Sequence, residues 1–374
     1  VVDPKNPQGG FILVVVALLL VALAGFVALG VDVGALYSAK ASAQEIADAA
    51  ALAGAFTFIS SPTSDQPQTA ENHALAVALE STIMGHPIPE DDLTITVDVE
   101  NRRVTVDLSS TQETHFAKAI GKSTVDIGVT ATAEASEYST GATKARPWFI
   151  ANTVFSSDDI CDAKCNPAQL LIDPASREVT SFAEAQFGNQ FTLKPQGPNE
   201  ALSPGQFYEL DIPGLSGGAN GYEDGIRDGA PDFSPCFESY SVMTGNKKGP
   251  TERGVNDLIG DPPRFTWVAP GRYRREADGK IFDMSENLVV APIWDVCNSG
   301  GFCPTAKLHG SKPSVQVMGW GVLFVEGVSS DEEADGVIAR LLNVSSCGTG
   351  SGAGTTGEER GSAVFGIPVR LVRP

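Results

Sequence analysis

The sequence predicts an α+β protein: a long N-terminal hydrophobic α-helix, a small α/β unit with an antiparallel sheet, and a large β-rich disulfide-containing domain. Three observations carry that prediction. Residues 9–31, GGFILVVVALLLVALAGFVALGV, contain no charged side chain. Residues 93–135 alternate apolar and polar in three runs, the period of half-buried strands. All six cysteines lie beyond residue 160, in a stretch rich in Gly, Pro and aromatic residues. The expected divisions are 1–60 for the helix, 61–143 for the small unit and 144–374 for the β-rich domain.

The apolar run comes first because it restricts the environment most. As a helix it spans about 35 Å, enough to cross a hydrocarbon core. A helix of an ordinary globular domain is rarely apolar all round for that length. Two surroundings can receive it: a bilayer, or the packed helical core of a filament. A cleavable secretory signal would be shorter and end at a processing site. Here no proline intervenes before Ile59, so one helix of about fifty residues is expected. Asn6 is its expected cap, Pro7 its first helical residue, and Ser60-Ser61-Pro62 its break.

The lower half of that helix carries a ridge of small residues. Ala35, Ala39, Ala43, Ala47, Ala51 and Ala55 recur every fourth position, and Gly30 and Gly34 extend the series. Such a ridge lets two helix backbones approach closely. Propensity alone explains alanine, but glycine costs helix stability, which favours packing against neighbouring helices. Asp32, at the end of the run, would reach the interface of a bilayer. In a filament core it would need Lys5 or Lys40 of a neighbour as partner.

The stretch from Gly25 to Ala55 resembles the N-terminal signature of the TadE/TadG-like proteins of Tad (Flp) pilus systems. The matching elements are Asp32 and Gly34 after the apolar run, Tyr37, Gln44, and the alanine-rich Ala47–Ala53. The resemblance continues through His115-Phe116-Ala117 and Val129–Ala135, about the first 140 residues. It implies a cell-envelope protein that helps build or assemble a surface pilus. The implied partners are copies of itself, other Tad pilins, and the inner membrane before assembly. Gly10-Phe11 looks like a prepilin cleavage junction, but Val15 stands where pilins carry glutamate, so prepilin-peptidase processing is not expected.

In the small unit a helix is expected over Thr69–Met84, with Ala70, Ala74, Val77 and Ala78 on one side. A hairpin follows, Leu93–Val99 and Arg103–Leu108, turning at Glu100-Asn101-Arg102. Thr114–Gly121 reads as a short helix and Val125–Ala135 as a third strand. A long helix leading into a helix-backed sheet is a pilin-like plan. Residues 139–145 form a linker. Beyond it the strand candidates are Trp148–Ala151, Gln190–Leu193, Phe207–Ile212, Leu288–Trp294, Ser314–Glu326 and Ser362–Val372. Asp335–Val344 is a strand or short helix, and Ser345–Glu358 a loop. A sandwich-like or irregular β domain is expected.

Charge and cysteines bound the function classes. With 46 acidic and 26 basic side chains the net charge is −20, which argues against nucleic acid and against docking on an anionic membrane surface. Cys161, Cys165, Cys236, Cys297, Cys303 and Cys347 make an even count, suited to an oxidising compartment. Of the possible pairings, Cys161–Cys165, Cys297–Cys303 and Cys236–Cys347 are expected. The spacings are not those of a zinc ribbon.

No enzyme is expected. Gly214-Leu215-Ser216-Gly217-Gly218 fits G-x-S-x-G, yet Ala219–Tyr222 reads as a glycine loop and not as the required helix. Gly245–Thr251 is too short for a phosphate loop, and Asp107, Ser109 and Thr111 have only the ordering of a metal-dependent adhesion site. Glu223, Asp224, Asp228 and Asp232 are the best calcium candidates, expected as an acidic loop; no other cofactor is expected. His73, His86, His115 and His309 are scattered, and Asn343-Val344-Ser345 is a glycosylation sequon. The expected function is a structural subunit of an extracellular filament with the N-terminal helices as its core. The alternative is a membrane-anchored pilus-assembly protein, minor pilin or adhesin.

Overall fold

The computed structural model describes residues 8–61, 67–155, 167–195, 206–211, 214–215, 218–243, 248–294, 314–329, 336–348 and 364–372. Helix α1 runs unbroken from Gln8 to Ser60, 53 residues, as the absence of proline predicts. Asn6 and Pro7 lie outside the described residues. Helix α2, Pro67–Leu79, buries Ala70, Ala74 and Ala78. It stops short of the expected Met84 because Ser81 Oγ donates to the Val77 carbonyl and the chain then turns. Met84 and Gly85, both at positive φ, form the tip between β1, Thr82–Ile83, and β2, His86–Pro87.

The small sheet contains β3, Leu93–Asp98, β4, Arg103–Glu113, and β5, Thr124–Ala135. All pairs are antiparallel, with Val97 opposite Val104 and Val106 opposite Ala131. One face buries Val104, Val106, Leu108, Ala131 and Ala133 against α1 and α2. The outer face carries polar pairs such as Thr105 with Thr132, 2.9 Å. Helix and sheet lie close: a Cβ on Gly54 of α1 would sit 2.9 Å from a Val104 methyl and 3.0 Å from the Ala70 carbonyl.

The expected boundary at 143/144 is crossed in two places. Strand β13, Val369–Val372, returns from the C-terminal end and pairs with Thr132–Ala135 of β5, making the sheet four-stranded. Glu134 fastens it, one carboxylate oxygen accepting from Arg103 and the other from Arg370, 2.7–3.1 Å. The second crossing is at the end of α1. Asn343, fully buried, donates to the Phe58 and Ile59 carbonyls, two of the last orphan acceptors of the helix. The glycosylation reading of Asn343 is thereby corrected: its amide is buried and in use. A single apolar cluster joins α1, the small sheet, Val322, Phe324 and Leu342.

The larger sheet is a closed ring and not a sandwich. Six of its eight strands close the ring: β6, Trp148–Ala151, β7, Gln190–Pro195, β8, Gln206–Asp211, β10, Leu288–Trp294, β11, Ser314–Val328, and β12, Val337–Cys347. Around the ring β10, β11, β12 and β7 are antiparallel neighbours; β7 pairs with β8 in parallel, β8 with β6 antiparallel, and β6 with β10 in parallel. Strand β9, Ser239–Val242, bonds to both β8 and β11. Closure leaves few free edges, the usual hazard of such strands. Trp148, Trp294 and Trp320 are fully buried in its packing.

Two helices, α3, Gly218–Asp228, and α4, Lys248–Ile259, pack together beside the ring. Tyr222, Ile226, Val255, Leu258 and Ile259 share one apolar cluster with strand residues such as Trp148 and Leu323. Helix α3 corrects the expected acidic loop: Tyr222 and Ile226 are a buried i, i+4 pair that its glycines and acids mask in sequence. Cys236 and Cys347 form a disulfide, Cα atoms 5.5 Å apart. Cys161, Cys165, Cys297 and Cys303 lie outside the described residues.

Candidate functional site

Helix α1 has two halves with opposite surroundings. From Ile12 to Val31 its side chains stand open, Phe26 at 74 % and Leu13 at 72 % exposed. None of its most apolar window is buried. Twenty residues at 1.5 Å give about 30 Å, the thickness of a bilayer's hydrocarbon core. From Ala39 to Ser60 the same helix is a core element.

The alanine ridge falls in the second half, which corrects its reading as a contact between copies of the helix. Ala39, Ala43, Ala47, Ala51 and Ala55 are buried in this chain's own cluster, with α2 and the small sheet. Alanine suits that seam because a sheet can lie nearly on the helix backbone. Among the described residues nothing lies within 4 Å of where a side chain of Gly30 or Gly34 would begin, so none of them compensates the cost of these glycines. Ala35 is intermediate and lines a cleft of about 530 Å³ with Leu36, Met84, His86 and His115.

Asp32 marks the change. Its carboxylate is buried against the turn after β4 of its own chain. The amides of His115 (2.8 Å), Phe116 (2.9 Å) and Ala117 (2.6 Å) all donate to it. The 3-10 turn Ala117–Ile120 that they introduce ends at Gly121 in the left-handed region. Sequence reasoning singled out both Asp32 and His115-Phe116-Ala117 without joining them. The available signal was a carboxylate at the end of an apolar run and a turn needing its first amides satisfied.

The other candidates do not converge. On α3, Glu223 pairs with Arg253 (2.8 Å), while Asp224 and Asp228 both pair with Arg227 (2.9 and 2.7 Å). Side-chain hydrogen bonding to Arg227 holds the Asp228 carboxyl below the usual range. Asp232 lies beyond the helix, and among the described residues no group of three acids, histidines or cysteines is placed to hold a metal. The calcium cluster is corrected on that ground. Thr130 donates to Asp107, and Thr111 donates to Asp126 at 2.7 Å, so these residues serve cross-strand bonds. His73 lies 3.0 Å from both Thr57 Oγ1 and Asp283. Ser216 and His309 fall outside the described residues; a helix does follow Gly218, contrary to the loop expected there. Burial pushes the Arg146 guanidinium down to about 10, against the opposing pull of Asp228.

The site is therefore an uncovered apolar rod joined to a folded body by a buried carboxylate. No curated protein and no solved structure matches the chain. The match to a family model covers residues 9–55, less than the 140 residues of the resemblance seen in sequence. It spans the whole bare half of α1 and the ridge, and it supports a membrane-anchored or envelope location. Helix α1 thus carries the segment described as putative Flp pilus-assembly TadE/G-like.

Proposed function

We propose that the chain is a membrane-anchored component of a Tad pilus system, holding the bare half of α1 in the bilayer and presenting the ring sheet outside. The observation that carries this reading is the match between uncovered helix length and hydrocarbon thickness, ending where Asp32 enters the fold. The disulfide suits an oxidising compartment on the outer side. Other Tad pilus components are the natural partners, meeting the body outside the bilayer or the rod within it.

The filament subunit is the second reading. Gly25, Gly30 and Gly34 favour it, because open glycines on an apolar helix permit close approach of another helix. The alanine ridge no longer adds support, since the chain's own sheet occupies it.

Fractionation of cells producing the full chain tests the choice. Membranes and sheared surface fibres are separated, and each is labelled with antibody against residues 146–374. The anchored reading expects the protein in membranes, resistant to carbonate extraction. Continuous label along the fibres would overturn it in favour of the filament subunit.

A further inference from the structure

The tether at Asp32 places one turn at a particular height on α1. Helical side chains lean toward the N-terminus, so the Asp32 carboxylate lies over the turn of helix below it, at Ala28. Ala28 is the only residue from 12 to 31 that is part-buried and not exposed. The amides of residues 115–117 are thus held beside the last apolar turn, at the level where the rod would leave the hydrocarbon.

What that turn exposes is unusual for a polar surface. Phe116 is 51 % and Ile120 80 % exposed. Residues 114–123, THFAKAIGKS, include Lys118 and Lys122, both exposed, and no acidic residue, in a chain of net charge −20. About two turns further along α1, Met84, 51 % exposed at a tip of positive φ, shares the cleft that Ala35, Leu36 and His115 line. Apolar loop tips therefore flank α1 at its exit and just beyond it. Removing a Phe or Ile side chain from water is favourable. Lysines beside them can extend their heads to anionic headgroups while their stems lie along apolar surface.

We propose that the 115–122 turn is a foot resting in the interface of the bilayer that α1 crosses. Phe116 and Ile120 enter the boundary between headgroups and acyl chains, Lys118 and Lys122 meet anionic headgroups, and Asp32 ties the foot to the rod. The foot fixes how the folded body stands on the membrane, which a single helix alone leaves free to tilt and rotate. The inference rests on the membrane-anchored reading. It also qualifies the whole-chain charge argument, because the turn itself carries two lysines and no acid, with Glu113 and Asp92 set beside it along the cleft.

The test uses the full chain in vesicles of phosphatidylethanolamine and phosphatidylglycerol, with photoreactive p-benzoylphenylalanine at Leu18, Ile120 or Ile281. Lipid adducts are identified by mass spectrometry. The expected result is lipid at positions 18 and 120 and none at 281. Lipid at 18 without lipid at 120 overturns the foot and leaves the anchor standing. Lipid at neither position overturns both, and lipid at 120 alone removes the span and with it the foot as proposed. A protein–protein adduct at 120 overturns the foot in favour of a neighbouring subunit. Lys118→Glu with Lys122→Glu is expected to lower the adduct yield at 120 several-fold in these vesicles, and an unchanged yield would refute the headgroup contact.

Discussion

The two halves of α1 are equally helical and similarly rich in small and apolar residues, yet one is bare and the other is a core. The difference lies in what the rest of the chain brings to them. Ala39–Ala55 meets a sheet and a second helix of the same chain, while Ile12–Val31 is left almost wholly uncovered by the described residues. A small-residue seam by itself does not announce its partner. It states only that a backbone can come close, and a sheet satisfies that as well as a second helix does.

That contrast can be broken most severely in the bare half. Leu18→Arg puts a charge at the middle of the rod, worth about 3 kcal/mol against insertion. The expected outcome is loss from the membrane fraction with the near-ultraviolet dichroism of the folded body unchanged. At the junction, Asp32→Ala removes the acceptor for three amides. Hydrogen exchange at His115, Phe116 and Ala117 is expected to rise on the order of tenfold or more while β4 and β5 stay protected.

Overpacking the covered half comes next. Ala51→Leu must fit a larger side chain between α1 and its own fold, at a cost of about 1–3 kcal/mol. The measurement is thermal unfolding of the full chain in detergent, where a lowered midpoint is expected. The smallest effect belongs to Gly30→Ala, which meets open space and gains up to about 1 kcal/mol of helix propensity. It is expected to leave the unfolding midpoint unchanged or slightly raised. A selective loss of pilus assembly in that variant would show that another helix packs there.

Much of this was legible in sequence, and the failures have a common cause. The unbroken α1, the hairpin β3–β4 and strands such as Leu288–Trp294 follow from local signals of period and punctuation. Strand β13 was visible as an apolar run, but its pairing with β5 spans more than two hundred residues and no local pattern names a distant partner. Asp32 and the turn at His115 each stand out in sequence, but nothing local announces the bond between them across 83 residues. Helix α3 was hidden because glycine and acidic residues outweigh the buried pair Tyr222 and Ile226 in any local reading. Asn343-Val344-Ser345 matches a glycosylation sequon, yet Asn343 is buried, because burial, unlike spacing, is not written in three residues.

The most direct measurement asks whose sheet covers the lower half of α1. Gln44 of α1 donates to the Thr130 carbonyl of β5 at 3.2 Å. Cysteines are placed at both positions and joined by a short bismaleimide, first in one chain and then as single variants, Gln44→Cys and Thr130→Cys, produced together. The account predicts an internal crosslink in the double variant and no covalent dimer from the mixed singles. Covalent dimer from the mixed singles would mean that the sheet on α1 comes from a neighbour, and the division of the helix into a bare half and a self-covered half would be wrong.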